Sequence, residues 1–223
     1  MVNHQQKQHQ LNNVAFVLGN GTSRLSVDAN KLIERGKVFG CNAIYREFQP
    51  HYLVAVDVKM VNEIIASGYH KTNEVWTNPN KGILDKDYIK YFNPHKGWSS
   101  GPTALWFAAN QGHRNIFILG FDYQGLQGRF NNVYADTYNY KKSSDAATYH
   151  GNWLSQTDRT IREYRNTTFY RVIENGAFIP DKLSPPHHTN LKHINFKEFE
   201  EQLKLNKLPS IKETPKTKSE INS

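Results

Sequence analysis

The chain has one cysteine, Cys41, and no apolar run approaching the roughly 20 residues that span a bilayer. A lone thiol excludes an intrachain disulfide and suits a reducing compartment, so a cytoplasmic location is the expectation. The opening residues MVNHQQKQHQLNN lack the apolar centre of a signal peptide, and none is expected. There is no Walker A sequence, and Arg24 stands where a dinucleotide fingerprint beginning at Gly19 needs its third glycine. The histidines and the cysteine show no zinc-site spacing, and no internal repeat is present. A formal charge of +8 comes without any zinc-finger, RRM-type or basic-zipper pattern, so no motif supports dedicated nucleic-acid binding.

A chain of 223 residues is long enough to bury a sizeable core, and a single α/β domain is the simplest reading. Residues 1–12 are polar and Gln-rich and are expected to be disordered. Residues 13–206 form the domain. Residues 207–223, rich in Lys, Ser, Thr and Pro, read as a flexible basic tail. Such a tail offers peripheral contact with anionic surfaces, of membrane or nucleic acid, against the plainer reading of a solvated lysine-rich surface. Homo-oligomerisation is left open.

Short apolar runs alternate with helix-compatible segments. Val14–Leu18, Val38–Cys41, Tyr52–Val56, Glu74–Thr77, Ile116–Leu119 and Phe169–Ile173 read as strands. Helices are predicted near Ser26–Arg35, Val58–Ala66, from Pro102 to Gly112, over Asn152–Tyr164 and over Phe196–Leu205. The alternation predicts a Rossmann-like, mostly parallel sheet flanked by helices. In such sheets ligands bind beyond the carboxyl ends of the strands.

The residues at those ends are small, polar or acidic: Gly19 to Ser23, Asn42, Asp57 and Asp122. Glycines allow close backbone approach, and amides leading into a helix favour negative charge, so Asn20, Gly21, Thr22 and Ser23 read either as a phosphate cradle or as a tight turn. Ser99, Ser100 and Gly101 enter a helix in the same way, as a second anion site or as a cap. Asp122 suits a sugar hydroxyl or a metal, or caps a turn. Asp85-Lys86-Asp87 has metal-pair spacing in a polar segment, and no metal site is assigned there. His187-His188 reads as a surface loop. His150, ahead of a predicted helix, is a general-base candidate or a solvated loop histidine.

The series VLGNGTSRL, FGCNAIY, VAVD, SSGPTALWFAANQGHRNIFILGFDY and a histidine before a helix resembles the bacterial lipooligosaccharide sialyltransferases of glycosyltransferase family 42, over roughly residues 14–172. The resemblance implies that Asn20, Gly21, Thr22, Ser23 and Asn42 hold the nucleotide of a CMP-linked donor. It implies that Ser99, Ser100 and Gly101 sit beside the donor sugar. Tyr123, with Tyr134 or Tyr138, would hydrogen-bond the departing phosphate, and His150 would deprotonate a glycan acceptor without a metal or cofactor. Thr22 and Asp57 depart from the family's Pro and Asn. Asp57 also resembles the strand-end acid of the archaeal-type 6-hydroxymethylpterin diphosphokinases, where acidic residues would hold Mg²⁺ on ATP. A non-catalytic nucleotide- or nucleic-acid-binding protein is the remaining alternative.

Overall fold

The computed structural model describes residues 13–205. The N-terminal segment 1–12 and the basic tail lie outside the described residues. Eight strands form one sheet: β1 (Val14–Leu18), β2 (Lys37–Cys41), β3 (Tyr52–Val54), β4 (Val75–Thr77), β5 (Ile89–Tyr91), β6 (Asn115–Leu119), β7 (Thr168–Val172) and β8 (Leu191–Ile194). Their spatial order is β5-β4-β3-β2-β1-β6-β7-β8, and every pairing is parallel. Four α-helices accompany them among the described residues: α1 (Val58–Ala66), α2 (Ser100–Asn110), α3 (Gly151–Glu163) and α4 (Phe196–Leu205).

Alternation along the strands sorts side chains into two layers. Phe16, Leu18, Phe117 and Leu119 point to one face, where Met60, Val61 and Ile64 of α1 and Phe199 of α4 cover them. Ala15, Val17, Ile116 and Ile118 point to the other, under Ala104 to Ala109 of α2 and Ile161 of α3. Phe16 stacks on Phe117 with ring centroids 5.5 Å apart, locking β1 to β6. Residues Pro102 to Ala109 of α2 are all buried, which explains why this segment is apolar on every side.

The chain steps outward from β1 to β5, then α2 carries it back so that β6 lands on the free side of β1. The order therefore reverses between β1 and β6, and a crevice opens there beyond the carboxyl ends.

The structure corrects three sequence-based expectations. The predicted helix near Ser26–Arg35 is replaced by short 3-10 turns, Thr22–Ser26 and Ala29–Leu32. Asp28 accepts from the Asn30 amide there, the kind of local bond by which short polar side chains compete with a helix. Two strands, β5 and β8, had too few apolar residues to announce themselves. His188 is buried, not a loop surface residue, with Nε2 2.9 Å from Asp158 Oδ1.

At the reversal the two loops touch through glycine. The Gly19 amide donates to Leu119 O (2.8 Å) and the Gly21 amide to Gly120 O (2.9 Å), extending the ladder past both strands. Gly120 has φ +70°, and a Cβ there would lie 2.7 Å from Gly19 O. Gly120→Ala is expected to cost about 2–4 kcal/mol, from the left-handed backbone plus the overlap. Thermal unfolding checks this, with a fall in Tm of roughly 5–10 °C expected.

Candidate active site

The crevice is a cleft of about 660 Å³, within the roughly 300–1,000 Å³ typical of small-molecule sites. It sits across the sheet's carboxyl edge and takes one wall from each layer. A smaller polar hollow of about 440 Å³ lies at the opposite edge, lined by Lys37, His113 and Arg114, away from every strand-end residue named above.

Of the sequence-predicted residues, Asn20, Gly21, Asn42, Asp57, Ser99, Ser100, Gly101, Asp122, Tyr123 and His150 line this one cleft. Thr22, Ser23 and Tyr134 do not. The Thr22 amide and hydroxyl both donate to Asn131 Oδ1 (3.0 and 2.9 Å). The Ser23 amide donates to Asp122 Oδ2 (3.3 Å), and its hydroxyl makes a short bond to Asp122 Oδ1. Asn131 Nδ2 completes the Asp122 shell at 3.0 Å. Thr22 and Ser23 thus brace the acid and amide that line the cleft. The Tyr134 hydroxyl instead donates to Glu47 Oε1 (2.6 Å) and accepts from Arg24 Nη2 (3.2 Å). Tyr138 is largely exposed and also lies outside the lining.

The glycines of the first loop serve the neighbouring loop rather than standing open. A Cβ on Gly19 would meet Gly120 O at 2.6 Å, and one on Gly21 would meet Asp122 Oδ2 at 2.5 Å. Buried Arg171 supports the second loop from behind, donating to Phe121 O (2.9 Å) and Asp122 O (3.2 Å).

Two amide oxygens in the cleft have no partner, Asn20 Oδ1 and Asn42 Oδ1. Asn20 is only 8% exposed, and its Nδ2 donates to Cys41 O (3.1 Å), which fixes the amide's orientation. Asn42 holds a left-handed backbone at φ 54°, turning the chain sharply at the end of β2.

Ser99 is the N-cap of α2, but its side chain makes no capping bond. Ser100 is turned away as well, its Oγ accepting from the Val56 amide (3.1 Å). Pro102 has no N–H, and the Thr103 amide donates to Ser99 O (2.9 Å). The Ser100 and Gly101 amides are therefore the ones left at the cleft wall, with no partner in the helix and no Ser99 side-chain cap. That end of the helix attracts negative charge.

Apart from His150, the sequence-predicted residues of segment 124–150, Tyr134 and Tyr138, are not the ones that line the cleft, and the segment forms no regular element. This segment supplies Asn131, Asn139, Tyr140 and Lys141 to the lining. Irregular segments this long inside a compact domain commonly carry function, and that was the available signal. The Tyr140 oxygen accepts from Asn20 Nδ2 and from the Ala43 amide, each at 3.4 Å, so neither bond uses its own proton. Burial pushes the Tyr140 hydroxyl up to about 12, so it stays a protonated donor. Tyr123 is also protonated, raised by burial, but its hydroxyl already donates to Thr157 Oγ1 at 2.6 Å.

His150 is the N-cap of α3 and half-buried at the cleft. Partial burial lowers its pKa below the usual 6.5, and the nearby Asp122 charge opposes this without reversing it. The imidazole is therefore neutral at pH 7 and able to accept a proton.

The two acids at the sheet edge serve as caps. Asp57 Oδ1 accepts from the Lys59 amide (2.9 Å), and both Asp122 oxygens accept from Ser23. Among the described residues, no three His, Cys, Asp or Glu side chains group as metal ligands would. No described helix is long and apolar enough to cross a membrane.

No protein-family model and no curated protein matches the chain. Among solved structures, the chain is similar to the crystal structure of the monofunctional alpha-2,3-sialyltransferase Cst-I from Campylobacter jejuni. The two are 13% identical with a TM-score of 0.49, over 87% of this chain and 94% of that one.

The outer wall of the cleft is held by one ionic hub. Glu63 accepts from the Tyr45 hydroxyl (2.7 Å), Arg46 Nη2 (2.6 Å) and Asn139 Nδ2 (2.8 Å). Arg46 in turn donates to Thr137 Oγ1 (2.8 Å) and Tyr138 O (2.9 Å). The pair sits at the rim with side chains only 25% and 13% exposed, so Arg46→Ala is expected to cost about 1–2 kcal/mol of global stability. Local opening is expected to show as roughly tenfold faster amide exchange at residues 137–141. Exchange mass spectrometry on the variant checks it.

Proposed function

We propose that the chain is a glycosyltransferase that moves a sugar from a nucleotide-activated, CMP-linked donor to a glycan hydroxyl. The observation that carries the reading is convergence. The Asn20 loop, the uncapped start of α2 and neutral His150 lie far apart in sequence, and all three line one cleft at the reversal of the sheet. The motifs that resemble glycosyltransferase family 42 fall on those positions.

In this scheme the first-turn amides of α2 and the Lys141 ammonium face the donor phosphate. Tyr140, whose proton is unused, donates to the phosphate oxygen as charge builds on it. A ring nitrogen of His150 takes the proton of the acceptor hydroxyl. The acceptor oxygen forms its bond to the anomeric carbon while the carbon–phosphate oxygen bond breaks. The nucleoside monophosphate leaves with the electron pair, and the anomeric centre inverts. Nothing in the proton and charge balance of this step requires a metal.

The diphosphokinase alternative needs carboxylates free to bind Mg²⁺ on ATP. Asp122 spends both oxygens on Ser23, and Asp57 spends one on Lys59, so the donor set fits a cation poorly. The cleft carries only Lys141 as a permanent cation among its described lining, which also speaks against a nucleic-acid groove.

Calorimetric titration with CMP, UDP and ATP, each with and without Mg²⁺, separates the readings. CMP binding that is independent of Mg²⁺ is the expected result. ATP binding only with Mg²⁺ is the contrary one.

For the base, His150→Ala is expected to lower turnover by roughly 10²-fold or more. Because folded His150 titrates below 6.5, protonation should abolish activity only as pH falls beneath that value. The acid limb of the kcat/KM profile should therefore lie below pH 6.5 and vanish in the variant. An acid limb that persists unchanged in His150→Ala rules the histidine out as base.

A further inference from the structure

The donor reading uses the strand-end loops, the start of α2 and Tyr140. It leaves the first turns of α3 without an occupant, although Asn152, Trp153 and Gln156 all line the cleft there. Their spacing puts them on one face of the helix. Deeper along α3 the buried residues are Thr157, Thr160 and Ile161, so Trp153 stands where the helix leaves the core. It is half-buried, with part of its ring against the second-face core. Its ring centroid lies 5.2 Å from that of His150, with the planes 65° apart. Tyr149, immediately before His150, is 81% exposed.

An indole that is partly open to a cleft and flanked by two neutral amides is a poor match for phosphate. It is a good match for a pyranose, whose apolar C–H face stacks on an aromatic ring while its hydroxyls bond to amides. Gln156 is already oriented, its Oε1 accepting from the Ser99 amide at 3.1 Å, which ties this face to the start of α2.

We propose that Trp153, with Asn152, Gln156 and the exposed ring of Tyr149, forms the acceptor subsite, taking an uncharged pyranoside stacked on the indole so that one hydroxyl reaches His150. This rests on the glycosyl-transfer reading above and adds to it the place and chemical class of the acceptor. The side chains that would touch the sugar carry no charge, so the subsite selects by ring face and hydroxyl pattern, not by ionic attraction. Trp153 is the specificity-determining residue of this surface.

The test is saturation-transfer NMR on the full chain loaded with CMP, using methyl glucoside, methyl galactoside and methyl mannoside as probes. At least one is expected to bind, with the strongest transfer to C–H protons on a single ring face. Trp153→Ala should weaken that binding about tenfold, whereas Trp153→Phe should keep it within about threefold, because an aromatic face is retained. CMP titration of each variant reports whether the donor half is intact. Should Trp153→Ala fail to fold, Trp153→Phe and the exposed-site change Asn152→Ala carry the test, the latter expected to lose severalfold. Wild-type protein that binds CMP but none of the glycosides overturns the acceptor subsite and leaves the donor reading standing. So does a Trp153→Ala protein that binds CMP and holds the glycoside as tightly as wild type. Failure of wild-type protein to bind CMP removes the donor reading first, and this inference with it.

Discussion

The interlock of the β1 and β6 loops is the contact on which the cleft depends. The backbones approach so closely at Gly19, Gly21 and Gly120 that a side-chain carbon at any of them would overlap a neighbouring oxygen. Two backbone hydrogen bonds continue the β1–β6 ladder beyond the strands, and Ser23 and Asn131 bind the Asp122 carboxylate across the join. With the loops fixed, Asn20 faces the cleft with its amide pinned by Cys41 O, and Tyr140 can rest on it. Strand-end residues would otherwise be independent turns.

The two walls of the cleft differ in chemistry because they come from different layers. Tyr140 packs against the layer of α1 and α4, and the irregular segment that carries it is clamped by Arg46 and Glu63. That wall is rich in amides and hydroxyls. Trp98, Phe121 and Trp153 belong to the layer of α2 and α3, so the opposite wall is aromatic and contains the start of α2 and His150. A ligand with an anionic centre, a polar portion and an apolar ring face would use both. A nucleotide-linked sugar meeting an acceptor pyranose has those three parts.

Much of the frame was legible from residue order. Alternating apolar runs pointed to the parallel sheet, strand-end composition picked out Asn20, Asn42, Asp57 and Asp122, and the small-residue helix entry picked out Ser100, all of which line one cleft. The lost elements share a cause. β5 and β8 are short edge strands with too few apolar residues for a period, and the segment after β1 is broken into turns by Asp28 and Asn30. Tyr134 and Tyr138 were singled out where Tyr140 lines the cleft, because which tyrosine faces inward on an irregular segment depends on bonds to Arg24, Glu47 and Asn20 that no local pattern encodes. Likewise the glycines of the first loop signalled close approach correctly, but the partner approached is another loop.

A crystal structure of the protein with CMP bound tests the central claim most directly. The account requires the phosphate within hydrogen-bonding distance of the Ser100 or Gly101 amide and the Tyr140 hydroxyl, between the Asn20 loop and α2. A nucleotide seated in the hollow beside Lys37 and Arg114, or excluded from the cleft by side chains that close over it, would contradict it.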